Sequence, residues 1–132
     1  MKINHDIQLS DGKLKHFLNI NNLPKSIIED IINRAEEFHD TSKITKYTGK
    51  VVASLFFEPS TRTKTTFELA TKKISSDFIN IDIANSSTSK GESIIDMIKT
   101  IEAMKCTMFI VCLLYTSPSP RASDTSRMPS SA

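Results

Sequence analysis

The stretch Val51-Val52-Ala53-Ser54-Leu55-Phe56-Phe57-Glu58-Pro59-Ser60-Thr61-Arg62-Thr63-Lys64-Thr65-Thr66-Phe67-Glu68 decides the fold. Its first seven residues are short and almost continuously apolar. Such a run suits a strand covered on both faces, as in a parallel sheet. Glu58-Pro59-Ser60 ends the strand, because proline has no N–H for a ladder. A helix is predicted from Thr61 to Lys73, with Phe67, Ala70 and Ile74 as its inner stripe. The helix therefore begins directly beyond the carboxyl end of a buried strand. The backbone N–H groups of a first helical turn have no partners inside the helix, and the macrodipole adds partial positive charge. Ser60, Thr61 and Thr63 add hydroxyls there, and Arg62 adds a planar cation. A phosphate needs several donors converging on its oxygens, with a cation where charge is greatest. The alternative is that Ser60 only caps the helix and Arg62 is a solvated surface charge. No glycine and no Gly-Lys-Ser/Thr ending is present in the segment, so it is not a nucleotide-binding loop of the Walker kind.

Upstream, the spacing of Ile27, Ile28, Ile31, Ile32, Ala35 and Phe38 predicts an amphipathic helix over Pro24–Asp40, with that stripe as core. Proline at its start costs little, since the N–H it lacks would have been unpaired. Tyr47-Thr48-Gly49-Lys50 reads as a turn into the central strand. Downstream, Phe78–Ile83 fits a second strand. The serine-rich stretch Ala84–Gly91 reads as a loop. Ser93–Met104 fits a third helix, with Ile94, Met97, Ile98 and Ile101 facing inward. Met108–Val111 fits a third strand. Alternation of strand and helix implies a three-layer α/β fold, a parallel sheet with right-handed crossovers and helices on both faces. Ligands of such sheets bind beyond the carboxyl ends of the strands. The two loops there, Glu58–Thr63 and Ala84–Gly91, are both rich in hydroxyls and cations.

Two separated motifs carry a resemblance. Phe56-Phe57-Glu58-Pro59-Ser60-Thr61-Arg62-Thr63 with Phe67-Glu68 resembles the carbamoyl-phosphate signature of the aspartate and ornithine carbamoyltransferases. Asn85-Ser86-Ser87-Thr88-Ser89-Lys90-Gly91-Glu92-Ser93 resembles the serine-and-lysine loop of the aspartate branch. Lys99-Thr100-Ile101-Glu102-Ala103-Met104 and the N-terminal Lys15-His16-Phe17-Leu18 extend the similarity, which runs from about Leu14 to Val111.

The resemblance implies a carbamoyl-phosphate-binding domain of a homotrimeric enzyme that carbamoylates L-aspartate in pyrimidine biosynthesis. It implies that Ser60, Thr61, Arg62 and Thr63 hold the phosphate and that Thr63 also reaches the carbonyl oxygen. Ser86 and Lys90 would enter the neighbouring subunit's site, Lys90 meeting both the phosphate and the aspartate carboxylate. Arg62, Thr63 and Lys90 would be the catalytic residues. No cofactor is implied. Ornithine is the rival acceptor, and a stand-alone anion-binding module is the alternative outside enzymes.

The sequence departs from the family after the third strand. There the family has an Arg-His pair, and this chain has Cys112-Leu113. Between Thr116 and Ala132, 11 of 17 residues are Ser, Thr or Pro, which leaves too little apolar surface to offset ordering entropy. The expected division is residues 1–111 as a partial carbamoyl-phosphate-binding domain and 112–132 as a tail foreign to it, with the aspartate-binding half missing and no turnover by this chain alone.

Composition narrows the alternatives. The 132 residues suit one domain, and a net charge of +2 is too small to argue for nucleic acid or a membrane surface. No apolar run is long enough to span a bilayer, and Met1–Asp6 lacks the apolar stretch of a signal peptide. Cys106 and Cys112 form neither a disulfide framework nor a metal spacing, which suggests a reducing cytoplasm. His5, His16 and His39 lie outside both motifs and form no zinc-ligand pair. Cys106 reads as a small core residue.

Overall fold

The computed structural model describes residues 5–83 and 91–113. The chain divides into two compact units, Met1–Thr45 and Lys46–Ala132.

The first unit opens with a one-turn helix, α1 (His5–Gln8), followed by a two-stranded antiparallel hairpin, β1 (Leu9–Ser10) and β2 (Lys13–Leu14). Asp11 and Gly12 both take positive φ, 51° and 72°, the geometry a two-residue hairpin turn requires. Gln8 is buried and ties down the segment beyond the hairpin. Its Oε1 accepts the N–H groups of Leu18 and Asn19 at 2.9 and 3.0 Å, and its backbone carbonyl accepts those of Lys15 and His16. Helix α2 (Lys25–Glu37) starts after Pro24, as the periodicity predicts. Its isoleucine stripe does not form a core. No residue of α2 is buried, and Ile31, Ile32 and Phe38 are exposed. Helical spacing aligns side chains along one face, but only a packed neighbour can bury them. A short 3₁₀ turn over Thr41–Lys43 comes next. It is capped by Asp40, whose carboxylate accepts both the N–H and the hydroxyl of Ser42.

The second unit is the predicted α/β body. A turn at Tyr47–Lys50, closed by the Lys50 N–H on the Tyr47 carbonyl, leads into β3 (Val51–Phe56). Then come α3 (Thr61–Lys73), β4 (Asp77–Asp82), α4 (Ile94–Ala103) and β5 (Met108–Cys112). The sheet order is β4-β3-β5, and both pairings are parallel. The β3–α3–β4 connection moves outward from the centre, and β4–α4–β5 returns across β3. Crossovers that run in opposite directions set their helices on opposite faces when both share the usual hand.

Register confirms the layering. Ala53 and Leu55 share one face of β3 and pack with Met97, Ile98 and Ile101 of α4, and with Ile81 and Phe109 of the flanking strands. The other face carries Phe56, Asn80 and Asp82 toward α3. Four consecutive β3 residues, Val52 to Leu55, are buried, as a doubly covered central strand demands. The inner stripe expected on α3 differs. Phe67 and Ala70 are exposed, Ile74 is half-buried, and the buried residue is Thr71, whose hydroxyl donates to the Phe67 carbonyl. On α4, Met97 is buried, but Ile94 is exposed. Cys106 packs in the core cluster, and its thiol lies 3.4 Å from the Val51 carbonyl, as a small core residue should. Strand β5 runs one residue past Val111, because Cys112 pairs with Phe56.

Candidate anion site

Every candidate group depends on where β3 stops. The strand delivers Phe57 and Glu58 to the carboxyl edge of the sheet, Pro59 ends the ladder, and α3 starts at Thr61 with Ser60 as its cap residue. Ser60 does not cap the helix with its side chain. Its hydroxyl instead donates to the Thr63 hydroxyl at 2.9 Å. The first intrahelical bond runs from the Lys64 N–H to the Ser60 carbonyl, 3.0 Å. The N–H groups of Thr61, Arg62 and Thr63 precede that bond, and no side chain among the described residues takes them up. The simple capping reading of Ser60 is therefore wrong. The helix end keeps its donors available for an outside acceptor.

A cavity of about 590 Å³ opens at this edge. Its walls come from the end of β3 and the turn (Phe56 to Ser60), one face of α3 (Thr61, Lys64, Thr65, Glu68) and the end of β4 (Asn80 to Ile83). Ser60 and Thr61 stand on this wall, as a site for phosphate would need. Arg62 and Thr63 do not line it. Both are exposed, and the Arg62 carbonyl accepts the Thr66 hydroxyl at 2.8 Å. Ser86 and Lys90 lie outside the described residues.

Lys64, Glu68, Asn80 and Asp82 escaped the sequence reading as site residues. Two periodicities place them on the wall. Lys64 and Glu68 follow Ser60 at steps of four along α3. Asn80 and Asp82 share a strand face with Phe56 through the parallel register.

The charges on the wall are mixed. Glu68 pairs with Lys72 at 2.8 Å. That pairing, helped by the charge of Lys64, holds the Glu68 carboxyl below its ordinary value. At the far side the Cys112 thiol approaches Glu58 Oε1 at 3.6 Å. Burial, then the neighbouring Glu58 carboxylate, push the thiol up, so Cys112 stays protonated and unreactive near neutrality. Cys112 stands where the resemblance implies an arginine. The described residues contain no cluster of His, Cys, Asp or Glu able to hold a metal ion. None of the described helices is long and apolar enough to cross a membrane.

Fold and cavity define a parallel α/β domain that offers an open helix end to an anion beyond its central strand. Comparison with known proteins gives the family. Residues 15–123 match the family described as aspartate/ornithine carbamoyltransferase, carbamoyl-P binding domain, and the chain belongs to it. The match continues past Val111. Among solved structures, the catalytic subunit of M. jannaschii aspartate transcarbamoylase is 31% identical with a TM-score of 0.66, covering 86% of this chain and 39% of its own. Trypanosoma cruzi aspartate transcarbamoylase, in complex with carbamoyl aspartate and phosphate, is 26% identical with a TM-score of 0.58, covering 65% of this chain and 28% of its own. The same enzyme in complex with N-(phosphonacetyl)-L-aspartic acid is also 26% identical, with a TM-score of 0.53, covering 62% and 27%. The chain thus spans well under half the length of the structures it resembles.

Proposed function

We propose that this chain supplies the carbamoyl-phosphate-binding part of an aspartate carbamoyltransferase, which transfers a carbamoyl group to the amino group of L-aspartate in cytoplasmic pyrimidine biosynthesis. The observation that carries this reading is the open N-terminus of α3. Its N–H groups are left uncapped because Ser60 bonds to Thr63 instead, and they sit beyond the central strand of a family-matched domain. Aspartate is favoured over ornithine by the serine-and-lysine loop Ser86–Glu92 and by solved relatives that are aspartate transcarbamoylases.

The chemistry needs no covalent enzyme intermediate. The neutral α-amino nitrogen of aspartate attacks the carbamoyl carbon, the bond from that carbon to the bridging oxygen breaks, and phosphate leaves carrying the proton that the nitrogen loses. The protein's task is to orient two anions and to offset charge growing on the carbonyl oxygen and on the leaving phosphate. Thr61 donates to phosphate together with the helix-end N–H groups, and Ser60 joins it when its hydroxyl turns from Thr63 to the ligand. Arg62 and Thr63, exposed at the same turn, close over it. Thr63 also reaches the carbonyl oxygen. Removing one well-placed donor from such a site costs about 3–4 kcal/mol of barrier. In this proposal Ser86 and Lys90 serve the neighbouring subunit's site within a homotrimer, so a single chain binds carbamoyl phosphate without completing the reaction.

The test is a binding test. On titrating inorganic phosphate into the isotope-labelled chain, the backbone amides of Thr61, Arg62 and Thr63 should shift together and saturate. If those amides stay still while residues remote from the turn respond, the site is misplaced.

A further inference from the structure

We infer that Lys64, a residue the motif does not assign, is the cation that admits phosphate to this site, and that the Glu68–Lys72 ion pair keeps it available. The inference rests on the proposed phosphate site and names a further residue of it. Among the residues that line the cavity, Lys64 is the one that carries positive charge, against the carboxylates of Glu58, Glu68 and Asp82. An anion approaching the end of α3 along this wall would meet carboxylates and no side-chain cation if Lys64 were neutral. Arg62, the cation the motif supplies, is exposed and off the wall. Lys64 is half-buried, one turn into α3, and it follows Ser60 by four residues, so both fall on one face.

The pairing on α3 explains why Lys64 is free to act. Glu68 stands four residues from both Lys64 and Lys72, and it takes Lys72, at 2.8 Å. Physical chemistry favours that choice. A glutamate that precedes its lysine by four residues pairs better than one that follows it, in keeping with the macrodipole. Lys64 makes no ion pair with another described residue at that range. The Glu68–Lys72 pair therefore removes one carboxylate from the wall's charge and withholds it from Lys64.

Phosphate titration of the full 132-residue chain and three variants tests this, with helix content followed by circular dichroism. Lys64→Gln should weaken phosphate on the order of tenfold, as loss of a charged partner does, and should flatten the salt dependence of binding. Lys64→Arg should restore most of the affinity. Lys72→Gln, one residue back from the cavity wall, should also weaken phosphate, because Glu68 is then free to draw Lys64 away; adding Glu68→Gln should reverse the effect. Phosphate binding by Lys64→Gln equal to the parent chain overturns the inference and leaves the site itself standing. So does a loss that Lys64→Arg fails to restore. Absence of any phosphate response at Thr61 to Thr63 in the parent chain would remove the site reading as well.

Discussion

Ser60 shows how one hydroxyl separates a structural role from a binding role. A serine before a helix ordinarily caps it, and its loss to alanine then costs about 1 kcal/mol. Here the hydroxyl is engaged by Thr63 and caps nothing. Ser60→Ala should therefore change the urea midpoint by less than about 0.5 kcal/mol equivalent, the range of a surface substitution, while phosphate affinity falls measurably. A stability loss of full capping size with unchanged phosphate binding would return Ser60 to the role of a plain cap. The sequence made Ser60 and Thr61 legible as site residues because a buried strand followed by Pro59 fixes where the helix must begin. It did not reveal that Arg62 and Thr63 stand off the cavity wall while Lys64 lies on it. Side-chain direction around a helix end depends on where the sheet lies beneath it, and the sheet is built from β4 and β5, far along the chain. Glu58 beside Cys112 was hidden for the same reason, since 54 residues separate them.

Among the elements, the helices of the second unit end alike. After α3 the N–H groups of Ser75 and Ser76 bond back to the carbonyls of Lys72 and Thr71. After α4 those of Lys105 and Cys106 bond back to Glu102 and Ile101. Both are the paired closure of a Schellman motif, which needs a left-handed residue just past the helix. Ser75 and Lys105 hold that position at φ of 59° and 67°, where a side chain costs about 1–2 kcal/mol. Ser75→Gly and Lys105→Gly should each raise stability by about 0.5–1 kcal/mol, the relief of strain being partly offset by the greater freedom of glycine when unfolded. Thermal unfolding of the single variants measures it, and a lower melting temperature in both would show that the side chains hold contacts worth more than the strain. These ends were legible to within a residue or two because the hydrophobic period stops there. Their left-handed turns were not, since neither carries the glycine that signals one. The hairpin Leu9–Leu14 was missed for a different reason. Its strands are two residues long, too short for alternation to register, although Asp11-Gly12 is the turn signal itself.

Taken as a molecule, the α/β body rests on one strand. Among the described strands β3 alone is paired on both sides, and its residues Val52, Ala53 and Leu55 join Met97 as the buried apolar residues described in this unit. Around them the flanking strands remain partly open, with Ile79, Met108 and Val111 exposed. This layout was readable from the nearly continuous apolar run of Val51–Phe57, whose lack of alternation already excluded a half-solvated strand. The sparse burial of α2, α3 and β4 was not, because periodicity reports which residues could share a face and is silent about how much of it is covered. A core this small concentrates its stability. Leu55 is fully buried and meets α4 on one side and the end of β4 on the other. Leu55→Ala should cost about 2–5 kcal/mol, the transfer term plus the cavity left behind, against a total that for small domains is about 5–15 kcal/mol. Truncating Ile79, which lies on the same sheet face but is 45% exposed, should cost far less. Urea unfolding of the two variants compares them directly. The phosphate site gives a second readout, because the start of α3 is placed by the end of β3: loosening Leu55 should weaken phosphate binding before the chain unfolds, and Ile79→Ala should leave it intact. Equal losses in the two variants would mean that the sheet shares its load evenly and that β3 is not the strand on which the site depends.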